Sequence, residues 1–208
     1  MEATLYYFHD PMCSWCWGFS PAWKKLCDTV TDEVSVEMVL GGLSPDSNEP
    51  MPEQMQQYLQ QTWRTIEAKI PGARFNHDFW THCSPRRSTY PSCRSVIAAR
   101  LQGREFESKM VSAIQHGYYL EAKNPSDEET LAGFGETIGL DVGQFLQDLN
   151  SPHTHQTLTE EMAFSRSLGV QGFPSLALVK QERVHPVNVD FLDPMSMVAA
   201  IREVQKSG

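Results

Sequence analysis

The stretch Leu5-Tyr6-Tyr7-Phe8-His9-Asp10-Pro11-Met12-Cys13-Ser14-Trp15-Cys16 joins a short aromatic run to two cysteines with two residues between them. Leu5 to Phe8 is continuously apolar and is closed by Asp10-Pro11, the pattern of a strand buried on both faces. Past Cys13, the residues Phe19, Trp23, Leu26, Cys27 and Val30 recur at helical spacing. They predict an amphipathic helix that starts near the cysteines and is kinked by Pro21. Val34, Val36, Met38 and Leu40 then alternate, with Val39 on the other face, until Gly41-Gly42 ends the run. This is a β-α-β unit, for which a right-handed crossover is expected.

Outward from that unit, strand signals vanish between Ser44 and Gly169 and helical stripes replace them. One comprises Met55, Leu59, Trp63, Ile66 and Ile70; others are Cys93, Val96, Ile97 and Leu101, then Phe106, Met110, Ile114 and Gly117. Ser126 with Glu129 reads as a capping box, Ser151-Pro152 as an N-cap with a first-turn proline, and Gly169 as a C-cap. Ser175 to Val179 then reads as a strand, and Val184 to Val189 as its partner across a turn near Gln181-Glu182. Asp193-Pro194 starts a last helix through Met197, Ile201 and Val204. The expected fold is α/β: β-α-β, a large all-helical insertion, then β-β-α. Residues 1–43 and 170–208 form one domain, and 44–169 the insertion.

With 26 acidic against 17 basic residues the net charge is −9, a poor match for a phosphate backbone or an anionic membrane surface. No run approaches 18 apolar residues, and the N-terminus carries no basic stretch followed by an apolar one. These features lead to the expectation of a soluble, cytoplasmic protein without nucleic-acid or membrane partners. Five cysteines are too few for a disulfide scaffold and odd in number.

Cys13-Ser14-Trp15-Cys16 follows a strand and opens a helix, where a C-x-x-C pair works as a redox dithiol. Unpaired N–H groups and the positive end of the helix dipole stabilise a thiolate at Cys13, which makes it the nucleophile. Cys16, one turn further in, can attack a mixed disulfide at Cys13 and release the substrate. Zinc would need two more ligands, and Cys27, Cys83 and Cys93 offer no second C-x-x-C. No metal is expected.

The element order, the C-x-x-C, the segment Asp10 to Phe19 and the segment Gly169-Val170-Gln171-Gly172-Phe173-Pro174 together resemble the DsbA-like group of the thioredoxin superfamily. Within that group the likeness is to the FrnE-like branch, a neighbour of the kappa-class glutathione transferases and 2-hydroxychromene-2-carboxylate isomerases. The resemblance covers nearly the whole chain. It implies a thioredoxin fold and a thiol-disulfide oxidoreductase of reductase or isomerase type, acting on thiol- or disulfide-containing proteins or small molecules. It also implies a cis Pro174 facing the dithiol, with Ser14, Trp15, Phe173 and Pro174 binding substrate. The redox-active disulfide then serves in place of a tightly bound cofactor, and glutathione is a candidate co-substrate. Family members carry a buried carboxylate six residues before the first cysteine; Tyr7 stands there, and tyrosine is not a base near neutral pH. His9 is the candidate proton relay.

Alternatives remain open on sequence alone. One is a glutathione-dependent transferase or isomerase of the kappa type, and another a non-catalytic peptide-binding thioredoxin-like protein. Cys27 reads as buried packing, and Cys83 with Cys93 as either packing or a second redox pair. His77, His82, His153 and His155 lack the spacing of zinc enzymes, and Trp63, Trp80, Tyr118 and Tyr119 read as core in preference to a groove.

Overall fold

The computed structural model describes residues 3–206. Its centre is β1 (Thr4–His9), paired in parallel with β2 (Ser35–Leu40) and antiparallel with β3 (Ser175–Lys180), which pairs antiparallel with β4 (Arg183–Val187). The strand order is β2-β1-β3-β4. A parallel neighbour requires a crossover, supplied by α1 (Ser14–Val30). Leu5 and Tyr7 of β1 pack with α1 and with α9 (Pro194–Lys206), while Phe8 points to the opposite face with Val39 and Ala177. Burial on both faces is why the β1 sequence is continuously apolar.

The turn between β3 and β4 falls at Gln181-Glu182 as expected, both with positive φ (53° and 63°). Two left-handed residues match the twist of a tight hairpin. β4 ends at Val187, two residues before the predicted end. Pro186 within it has no N–H for pairing and stands on the sheet edge, the position a strand proline tolerates.

Between β2 and β3 the chain forms α2 (Glu53–Lys69), α3 (Phe79–His82), α4 (Tyr90–Gln102), α5 (Glu105–Leu120), α6 (Glu128–Ile138), α7 (Val142–Leu149) and α8 (Pro152–Ser167). Cys93, Val96, Ile97, Met110, Ile114 and Phe145 build a core in this helical part. Ser151 caps α8 by accepting the Thr154 N–H at 3.1 Å, and Gly169 lies beyond its end with φ +78°. The capping box at Ser126 is not formed. Asp127 occupies the N-cap of α6, and the Ser126 hydroxyl donates to the Ser88 carbonyl at 2.7 Å, joining two loops. α7 has no counterpart in the sequence reading. It is two turns long and started by Asp141, whose Oδ1 accepts the Gln144 N–H at 2.9 Å.

Pro21 lies inside α1 and deprives the Trp17 carbonyl of its usual partner four residues on. Ser20 Oγ donates to that carbonyl at 2.7 Å, so the proline leaves no orphan acceptor.

Candidate functional site

Cys13 is the N-cap residue of α1, with extended backbone (φ −77°, ψ 117°). Its N–H donates to the Asp10 carbonyl at 3.0 Å, and its carbonyl accepts the Trp17 N–H at 3.0 Å, so the helix begins at Cys13. The Cys13 thiol is 3.5 Å from the Phe173 carbonyl oxygen, 160 residues away in sequence. The Phe173–Pro174 peptide is cis, as the resemblance implied. Cys13 is 7% exposed and Cys16 0%, so an incoming sulfur meets Cys13 first. Burial pushes the Cys16 thiol well up, and hydrogen bonds from the Asp10 backbone and the Tyr7 side chain act against that.

Phe173 is held by a feature the sequence reading took only as the end of a strand. Its ring lies on Gly41, where a Cβ would come within 1.8 Å of it. Gly41 thus lets the segment before β3 close over the dithiol. The other assigned substrate residues divide. Trp15 is half-buried and meets Phe191 edge to face at 5.5 Å, beside Leu192, which is 66% exposed. Ser14 is as little exposed as Cys13, and its hydroxyl accepts the Trp63 indole N–H at 2.9 Å.

Trp63 links the helical part to the dithiol motif. It is fully buried and packs on Phe75, Trp80 and Tyr119, and Tyr119 stacks on Trp17 at 5.6 Å. Trp63 of α2 and Tyr118 and Tyr119 of α5 are therefore core, as expected, with Trp80 of α3 half-buried beside them, and that core backs the C-x-x-C turn.

His9 does not have the character of a relay. It is 1% exposed, stacked on Tyr7 at 4.9 Å, with neither ring nitrogen bonded to a protein group. Burial, aided by the Arg100 charge, pushes its pKa down to about 3. A histidine neutral when folded and at about 6.5 when unfolded binds fewer protons in the native state between those values. Its contribution is present above pH 6.5 and is lost as pH falls toward 3. We expect stability to drop on acidification across that window by up to about 1.4 kcal/mol per pH unit from this group. His9→Phe should flatten that limb in urea titrations at pH 4.5 and 7; an unchanged slope would refute the assignment.

Asp10 is fully buried, and burial raises its carboxyl against four opposing hydrogen bonds. Its Oδ2 accepts from Leu43 N–H at 2.8 Å and Thr89 Oγ1 at 2.7 Å, and Oδ1 from Met12 N–H at 2.8 Å. The carboxylate thus pins the loops around Cys13. Cys93 is also spent on Asp10, its thiol donating to Oδ2 at 3.5 Å, whereas Cys83 donates to the Ala122 carbonyl at 3.0 Å. The two thiols serve different partners, and both are free, as are the other three cysteines. Cys27 is half-buried, less covered than expected, and burial pushes its pKa up to about 12. His82, His153 and His155 are exposed, and His77 pairs with Glu67 at 3.2 Å. Among the described residues no cluster of three or more His, Cys, Asp or Glu could hold a metal ion, and no helix is long and apolar enough to cross a membrane.

Of curated proteins, the ClpXP adapter protein SpxH of Halalkalibacterium halodurans is 27% identical over 175 residues, 82% of this chain. The chain spans only 56% of that relative's length. A solved protein from Nitrosomonas europaea superposes with a TM-score of 0.86 at 21% identity, covering 100% of both chains. The cytosolic disulfide reductase DsbM from Pseudomonas aeruginosa superposes with a TM-score of 0.80 at 23% identity over 99% of this chain and 100% of its own; it is also known with GSH. At these identities the structural likeness establishes the fold, a thioredoxin fold carrying a helical insertion, as in DsbA-like proteins. The thioredoxin family model matches residues 6–198, nearly the whole chain, and the protein belongs to the thioredoxin family.

Proposed function

We propose that the protein is a thiol-disulfide oxidoreductase that works by exchange at Cys13 and Cys16. The observation that carries this reading is the Cys13 thiol at the start of α1, 3.5 Å from the Phe173 carbonyl, with Cys16 buried one turn behind it. Cys13 attacks a substrate disulfide and forms a mixed disulfide, and Cys16 displaces the substrate by bonding to Cys13. The exposed edge beside Phe173 and the Trp15–Phe191 shoulder receive the substrate, a protein or small molecule with a thiol or disulfide. In a reducing cytoplasm the dithiol is held reduced, so the direction is reduction or isomerisation, with glutathione as the recycling thiol. The structural likeness to DsbM supports that direction.

A redox titration in glutathione buffers tests this. Trp17 stacks on Tyr119 and lies one residue from Cys16, so its fluorescence reports the dithiol. We expect one two-electron transition, at a potential near the roughly −270 mV of thioredoxin for a reductase. A value near roughly −120 mV would instead mark an oxidant. No transition would favour a glutathione-dependent transferase, in which Cys16 is idle.

A second reading rests on the SpxH relatives, named as ClpXP adapters: the exposed edge beside Phe173 holds a peptide without turnover. Binding of a partner that is indifferent to the redox state of the dithiol would support it.

A further inference from the structure

We infer that the cavity between α1, β2 and α5 is a binding site for an uncharged aromatic amide, its ring lying on Trp23 and its amide group meeting the Gln115 carboxamide. The site goes beyond the disulfide-exchange reading: neither cysteine of the dithiol lines the cavity, and neither do Phe173 and Pro174.

The space exists because two unlike faces meet there. β2 is an edge strand, and its Val36 and Met38, level with Leu5 and Tyr7 on the α1 side of the sheet, are only half-buried. α5 turns Met110 and Ile114 into the core of the helical part. The face it leaves toward the sheet carries Glu107, Ser108, Val111, Ser112 and Gln115, at the three- and four-residue spacing of one side of a helix. Of these only Val111 is apolar. A polar helix face does not bury an apolar sheet face, and a cavity of about 790 Å³ remains between them, within the roughly 300–1,000 Å³ of small-molecule sites.

Gln115 supplies the specific group. It is 5% exposed, and among the described residues nothing hydrogen-bonds its carboxamide. A buried polar group without a partner in the protein calls for one from elsewhere, and Gln115 lines the cavity. Its C=O accepts and its NH2 donates side by side, so the complementary partner is another amide or a lactam, which offers the same pair in return. On the facing wall Trp23 is half-buried and packs against Tyr7 at 4.2 Å, and both rings line the cavity. An aromatic wall of this kind receives a planar ring.

The charges at the cavity specify a neutral ligand, because each already has an opposite partner. Lys24 pairs with Asp28 at 2.7 Å, and Arg104 with Glu37 at 2.5 Å. Glu107 is bound to Arg100 at 2.7 Å, and His116 meets Glu121 at 3.2 Å. The Cys27 thiol, also in the lining, keeps its proton. An ionic ligand would find no free counter-charge there and would have to break one of these pairs.

Titration of the full chain with benzamide, methyl benzoate and benzoate, followed by saturation-transfer NMR, tests the site. The three probes share a ring and differ in the group offered to Gln115: benzamide donates and accepts, methyl benzoate only accepts, and benzoate is charged. We expect benzamide to bind about 5- to 10-fold more tightly than either of the others, the effect of one or two neutral hydrogen bonds. Gln115→Leu should lower the benzamide affinity by the same factor and leave methyl benzoate within about twofold of its original value. Equal affinity for the three probes, an unchanged benzamide affinity in Gln115→Leu, or no binding of benzamide to the wild type overturns the assignment and leaves the cavity to water. If Gln115→Leu does not fold, Ser112→Trp, at an exposed position on the cavity wall, takes its place: lost benzamide binding supports the site, and unchanged binding overturns it.

Discussion

Cys13→Ser brings disulfide reduction, followed by insulin turbidity with dithiothreitol or glutathione as reductant, down to the buffer background, whereas Cys16→Ser stops the reaction half-way. The asymmetry follows from burial and from the helix start. Cys13 is the only one of the pair with any exposure, and it sits where the first unpaired N–H groups of α1 point. No other thiol can stand in for it. Burial holds Cys27 protonated to about 12, Cys93 is enclosed and bonded to Asp10, and Cys83 donates to Ala122. Cys16 meets a substrate only as a sulfur already bonded to Cys13, so its loss leaves the first attack intact and removes the second. Cys16→Ser protein incubated with a disulfide substrate should run as a covalent adduct on non-reducing gels, released by dithiothreitol. Full turnover in either variant would end the two-cysteine mechanism. Loss in Cys13→Ser with full conjugation of electrophiles in Cys16→Ser would move the assignment to the glutathione-dependent alternative.

The parts of this site that were readable in the sequence are those with local chemistry. A continuous apolar run and a C-x-x-C at a helix start located Cys13 and Cys16 within a few neighbouring residues, whereas Phe173 and Pro174 came from the family resemblance of the Gly-Val-x-Gly-Phe-Pro segment. What escaped depends on contacts across long separations. Ser14 was grouped with the substrate residues because it lies inside the motif; the bond of its hydroxyl to Trp63, 49 residues away, has no local signal. His9 looked suited to proton transfer on its unperturbed pKa; only the fold shows that it is enclosed with no polar partner in the protein. Gly41 ended a strand in the sequence, and its role under the Phe173 ring requires knowing that β2 and β3 flank the same strand. α7 was invisible because eight residues with two buried side chains, Phe145 and Leu149, give too short a stripe to count.

Trp63→Ala is expected to cost about 3–5 kcal/mol, the range for truncating a large buried aromatic, and to lower Tm by about 6–20 °C in a chain of this size. Trp63 is fully buried, and four aromatic partners pack within 5.6 Å of it, so the cavity left behind has few flexible neighbours to fill it. Urea denaturation followed by circular dichroism measures the loss; a cost below about 1 kcal/mol would mean that the helical part closes over the gap and that Trp63 is not its keystone. Trp63→Phe separates packing from tethering. It keeps a ring in the aromatic block but removes the N–H that holds Ser14, and should cost about 1 kcal/mol for the hydrogen bond on top of a smaller packing loss. Because Ser14 stands between Cys13 and Trp15, freeing its side chain loosens the turn that carries the nucleophile. The rate of Cys13 alkylation by iodoacetamide should therefore change in Trp63→Phe at a temperature where the variant is fully folded. An unchanged rate would confine the helical insertion to a stabilising role, and a changed one would make it part of how the dithiol is set.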